Sequence, residues 1–251
     1  LRTLRDELAL MVEGTLQEET AGLPASWRTR ISRAIPFQGF WSVSLVSCAS
    51  SQWCGAPPET GLPGAAAVLL LAGATAVHSL HPVGAVLPGI EGYDGGGDPP
   101  AARILAGDAL IPLAARVLCR LDPPVCVHLA DLLMKTAGGI LEAMSYGNRS
   151  DMTEKWTGRL ASLAARMGAV SAGAEPGRTE TAALAGFSLG QAAAILSSAG
   201  SREANVEAER MLGEALETLG GDSRLFEEIA GFIAARGTGD SGDLFAALEP
   251  D

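Results

Sequence analysis

Thirteen consecutive residues, from Ala65 to Val77 (AAAVLLLAGATAV), carry no charge, and Thr75 supplies their single side-chain polar group. A helix that is hydrophobic on every side belongs in the middle of a protein or in a membrane. A bilayer span takes ~20 apolar residues, more than this run supplies, so no membrane span is expected. The stretch 64–82 is instead expected to form the central helix of a large core. Its end changes abruptly to His78, Ser79, Leu80 and His81. There a buried helix would open into a pocket between helices.

A core around such a helix needs many apolar partners. The chain has 251 residues, 47% of them hydrophobic and only 5% aromatic. Ala and Leu dominate, and these are strong helix formers. Residues 1–251 are therefore read as a single all-α domain with a sizeable core. No strand pattern competes and no solenoid period is visible. The net charge of −11 argues against nucleic acid and against an anionic membrane surface. No signal-peptide pattern is present, so a cytoplasmic protein is expected. Cys48, Cys54, Cys119 and Cys126 form no CxxC pair and are expected to be buried free thiols in a reducing compartment.

In chain order, apolar spacing predicts helices over 1–20 and over 27–51, the second kinked or interrupted at Pro36. A loop at 55–63 precedes the central helix. Residues 83–100 contain PGIEGYDGGGDPP, a long connection of the kind that is usually functional or mobile. Further helices are expected at 101–121, at 125–146 and at 154–172, the last capped by Asp151 or Thr153. Gly138 and Gly139 inside the second of these suggest a close backbone approach. A helix at 179–198 follows, then a hairpin of 206–219 and 223–236 around Gly220 and Gly221.

This order of segments resembles the trans-isoprenyl diphosphate synthases, or polyprenyl synthetases, over roughly residues 27–236. ILAGDAL at 104–110, TGRLASLAARMGAVSAG at 157–173, GFSLGQAAAIL at 186–196 and the pair VEAERMLGEALETL and IAGFIAARG carry the likeness. The third resembles the helix that leads into the family's second aspartate-rich motif. The resemblance implies an isoprenoid-synthase-type helical bundle with a central cavity, generally dimeric. It also implies Mg²⁺ held between two Asp-rich motifs, because hard cations stabilise a departing diphosphate and carboxylates hold hard cations.

Both motifs are degenerate in this sequence. The first falls on His78, Ser79 and Leu80, the second on Ser197, Ser198, Ala199, Gly200 and Ser201. The basic segment falls near Ser32–Pro36, with Arg33 as its one arginine; Trp156 replaces the lysine of Lys-Thr-Gly; Gly138, Gly139 and Ile140 replace Gly-Gly-Gln. A helix and a Gly-Lys loop that the family has after the second motif find no counterpart. The positions expected to line the family cavity are His78, Ser79, Leu80, Trp156, Ala194, Ser197, Ser198 and Ser201. Trp156 either lines a new apolar pocket or, as expected, plugs the old phosphate site, and a structural hydrogen bond explains Asp108 as well as any catalytic role. His78 and His81, with Glu91, Asp94 and Asp98, form a weaker metal candidate. No Ser-His-Asp arrangement is visible.

These departures imply no catalytic residue, no bound Mg²⁺ and no other cofactor. The expected function is a non-catalytic regulatory or structural subunit, either a homodimer or a heterodimer with an active prenyl diphosphate synthase. The alternatives are a binder or metal-independent enzyme for an apolar small molecule, and a weak prenyl diphosphate synthase.

Overall fold

A computed structural model of the chain describes residues 1–35, 37–78, 99–146, 149–198, 202–220 and 223–237. The described residues form eleven α-helices and no strand. They are α1 (Arg2–Thr20), α2 (Ala25–Arg33), α3 (Phe37–Ser44), α4 (Val46–Trp53), α5 (Leu62–His78), α6 (Pro100–Leu118), α7 (Pro123–Tyr146), α8 (Arg149–Ser171), α9 (Pro176–Ser198), α10 (Arg202–Leu219) and α11 (Arg224–Gly237). A short 3₁₀ turn, Pro58–Gly61, leads into α5.

The apolar run forms the centre of the bundle, as expected. Every residue of α5 from Gly64 to Val77 is buried, enclosed by contacts to α1, α3, α4, α6, α7 and α8. Together with the 3₁₀ turn, this stretch is long and apolar enough to cross a bilayer, yet protein wraps 89% of it. Burying each Leu or Val side chain contributes about 1.5–3 kcal/mol, so α5 is the main apolar contributor to the core.

Several helix starts lie earlier than periodicity suggests. Helices α6, α7 and α9 begin at Pro100, Pro123 and Pro176. Proline suits the first helical position because its missing N–H would have no partner there. Helix α8 begins at Arg149, so Asp151 and Thr153 lie inside it and neither caps it. The expected helix over 27–51 is three helices, with breaks between Arg33 and Phe37 and at Leu45. Pro36 itself, and the connection at 79–98, lie outside the described residues.

Helix α8 stops in a glycine cap. Gly173 has φ +72°, its N–H donates to Val170 O, and the Ala174 N–H donates to Ala169 O. This is the paired hydrogen bonding of a Schellman motif.

The tightest helix crossing lies between α4 and α8. A methyl group at Gly168 would stand 1.9 Å from the Ser47 carbonyl oxygen. Ser51 Oγ donates to the Gly168 carbonyl at 2.9 Å, and Ser47 Oγ donates to the Gly61 carbonyl at 2.8 Å. Gly168→Ala is therefore expected to separate the two helices and to cost at least about 1–3 kcal/mol, read as a lower urea midpoint.

Candidate functional site

The end of α5 is where the core first meets polar chemistry. His78 is its last residue, and its Nε2 lies 3.0 Å from Asp108 Oδ1 and 3.1 Å from the Ile104 carbonyl, both on α6. Both partners are acceptors, so Nε2 carries the ring proton and donates it. The imidazole lies over α6 because Gly107 leaves room, since a methyl there would stand 2.7 Å from Nε2. Of the two readings of Asp108, the structure shows the hydrogen bond, accepted from His78.

At the far end of α9, Ser197 is exposed, and its Oγ donates back to the Ala193 carbonyl at 2.7 Å. Ser198 is the last residue of α9, but its side chain lies outside the described residues. Ser79, Leu80, Ser201, His81, Glu91, Asp94 and Asp98 also lie outside them.

Between these ends, α8 packs against both α5 and α9. Trp156, near its start, is 4% exposed and stacks on Phe40 of α3, with ring centroids 6.2 Å apart. Its indole N–H is buried without an acceptor. Ala194 of α9 is 0% exposed, so no water-sized space adjoins it. The structure thus puts Trp156 and Ala194 in packed interior and Ser197 at the surface, while His78 turns onto α6.

Solved proteins share this arrangement. The geranyl diphosphate synthase small subunit from Antirrhinum majus superposes with a TM-score of 0.70, covering 92% of this chain and 98% of its own at 20% identity. The chain has the isoprenoid-synthase fold. A deletion mutant of the heterotetrameric geranyl pyrophosphate synthase of mint, solved with ligands, gives 0.70 over 93% and 100% at 14% identity. Geranylgeranyl pyrophosphate synthetase from the archaeon Geoglobus acetivorans gives 0.68 over 92% and 97% at 16%. No family model and no curated protein matches the chain.

Two of the proteins named above are by name a geranyl pyrophosphate synthase and a geranylgeranyl pyrophosphate synthetase, and a pyrophosphate is commonly held through a divalent cation, so the site's fit to such an ion matters. A hard cation needs several oxygen ligands, chiefly carboxylates. His78 presents a proton rather than a lone pair at Nε2, and Ser197 Oγ is turned to its own helix. Among the described residues, no group of three His, Cys, Asp or Glu side chains converges. The described ends of α5 and α9 do not fit the ion.

A feature missed by sequence reasoning is a cleft of about 410 Å³ on the outer faces of α7, α8 and α9, lined by Lys135, Arg159, Arg166, Ser162, Leu132 and Phe187 among others. Protein acceptors hold its cations. Lys135 pairs with Asp131 at 2.6 Å, Arg166 with Glu180 at 2.7 Å, and Arg159 donates to the Gly139 carbonyl. The closest approach to the Gly138–Gly139 pair is therefore the Arg159 side chain on Gly139, with nothing near Gly138. Among the described residues, no neighbouring backbone lies within 4 Å of where a side chain at either glycine would begin. The periodicity of α8 could have revealed the cleft, because 159, 162 and 166 share one helical face.

Trp156 fills volume, so its removal should be felt throughout the core. Trp156→Ala is expected to cost about 3–5 kcal/mol. Trp156→Phe should stay within about 1 kcal/mol of the parent, because the smaller ring also deletes a buried donor that lacks an acceptor. Urea denaturation of both variants measures the difference.

Proposed function

We propose that this chain is a polyprenyl-synthetase-like subunit that acts by association with an active prenyl diphosphate synthase, or with itself, and performs no Mg²⁺-dependent prenyl transfer of its own. One observation carries the reading. At the ends of α5 and α9 the described side chains are hydrogen-bond donors already committed to protein acceptors, His78 to Asp108 and Ile104, Ser197 to Ala193. The sequence beyond them continues as Ser79, Leu80, Ser198 and Ser201, again without a carboxylate. Departing diphosphate would gather negative charge beside neutral hydroxyls in a chain of net charge −11. Each ~1.4 kcal/mol of lost transition-state stabilisation costs tenfold in rate, and metal-borne charge stabilisation is worth several such steps.

The pairing surface we assign is the outer face of α6 and α7. Leu105 is 54% exposed, Val127 69% and Met134 62%, with Ile104 also exposed. Exposed large apolar side chains on two consecutive helices are the kind of surface that an interaction site offers. Two of the fold's solved members, a small subunit and a heterotetramer, are by their own descriptions parts of larger assemblies, which supports the same reading here.

The purified chain with Mg²⁺, isopentenyl diphosphate and dimethylallyl, geranyl or farnesyl diphosphate should give no labelled product above background. Turnover alone at ordinary synthase rates would overturn the proposal. A change of rate or chain length only on mixing with an active synthase from the same cell supports it. A mixture without effect, together with tight binding of an apolar small molecule, would favour the ligand-binding alternative.

Association has its own readout. Light scattering on a sizing column should find a dimer at micromolar concentration, alone or with the synthase. Replacing Val127 and Met134 together by Asp should weaken it at least tenfold, or about 1.4 kcal/mol, without unfolding the chain.

A further inference from the structure

The expectation of four buried thiols fails at the corner between α6 and α7. Cys48 is buried, and burial pushes its thiol well above the ordinary range. Cys54 is half-buried, with its thiol raised chiefly by burial. Cys119 is exposed and Cys126 only partly covered. The sulfurs of these last two lie 3.7 Å apart, with Cys126 Sγ donating to Cys119 Sγ.

The fold holds that proximity in place. Cys119 caps the end of α6, and Cys126 lies in the first turn of α7, where its N–H donates to the Asp122 carbonyl at 2.9 Å. Between them stand Pro123 and Pro124, whose rings fix φ and leave the corner little freedom. The end of α6 is tied to α1 by Arg116 on Glu19 at 2.7 Å and Arg120 on Glu18 at 2.6 Å. The two sulfurs are thus held 3.7 Å apart, so little movement separates them from a disulfide at about 2.05 Å.

We infer that Cys119 and Cys126 form a reversible oxidation site, closing to an intramolecular disulfide on reaction with a low-molecular-weight disulfide. The inference does not rest on the pairing proposal.

The roles of the two thiols differ. Cys119 is the accessible one, and its sulfur accepts the hydrogen bond from Cys126. Cys126 keeps its proton longer, because burial and then the bond to Cys119 raise its thiol. Cys119 thiolate attacks one sulfur of the incoming disulfide, forms a mixed disulfide and expels one thiolate. Cys126 then loses its proton to solvent, attacks Cys119 Sγ and expels the second thiolate. Two protein thiols are oxidised to one disulfide, and the small disulfide is reduced to two thiols.

Trypsin makes the test direct, because it cuts after Arg116, Arg120 and Lys135. The full-length folded chain is incubated with oxidised glutathione, alkylated, digested and weighed. Peptides 117–120 and 121–135 should appear as one disulfide-linked mass, split by reductant, with the intact chain lighter by about 2 Da for the two hydrogens lost. Cys119→Ser and Cys126→Ser should each abolish the linked mass, while Cys54→Ser should leave it unchanged. Circular dichroism checks that each variant is folded. Recovery of both peptides separately, as alkylated thiols or stable glutathione adducts, would overturn the inference. So would a link that instead involves Cys54 or Cys48.

Discussion

A helix with no polar face dictates this architecture. Helix α5 has nothing to offer water along its buried length, so every direction around it must be occupied by another helix. Six helices share that task, and the requirement limits what each can be. Helix α8 must lie close enough to cover α5, to receive α4 at Gly168 and to run beside α9. Small residues on α8 allow this, while the stacked rings of Trp156 and Phe40 fill the space between α8 and α3. Close packing of this kind leaves little slack, and volume changes along α8 are transmitted rather than absorbed.

The same constraint decides where chemistry can occur. Polar groups are excluded from α5 until its last turn, so the first reactive atom on the central helix is the imidazole of His78. In a fold whose solved members include diphosphate synthases, that position governs what the helix end can bind. Here it is tied to a carboxylate and a carbonyl of α6. The bond uses the one Asp of the LAGDAL stretch to hold α5 and α6 together, leaving that carboxylate engaged. A helix end that could have presented acceptors to a cation presents a donor, locked by its neighbour.

Much of the fold was legible because the signals were strong ones. The apolar run and the turn at Gly220 are local effects of backbone and solvent, readable one segment at a time. The helix boundaries were less so. Periodicity responds only once apolar residues appear, so starts at Pro100, Pro123 and Pro176 read late, and the break at Leu45 carries no proline or glycine at all. At the site, sequence gave the residue types at the ends of α5 and α9 but not their partners. That His78 would turn onto α6 depends on the missing side chain at Gly107, a contact between elements thirty residues apart in sequence. The burial of Ala194 beside an exposed Ser197 three positions later depends on which side of α9 faces α8 and which end reaches solvent.

The cysteines illustrate the limit most sharply. A separation of seven residues inside one helix would place Cys119 and Cys126 on the same face two turns apart, too distant to react. The Asp122–Pro123–Pro124 corner folds the same separation back on itself and brings the sulfurs into contact. The chemistry arises because a proline pair both ends α6 and starts α7, while Arg116 and Arg120 pin the preceding turn to α1. That corner also sets the angle at which α6 and α7 present Leu105, Val127 and Met134. A covalent bond across it would add to the proline pair and the ion pairs to α1 that now hold that angle. Stability at the corner and the shape of the exposed apolar face are therefore set by the same few residues.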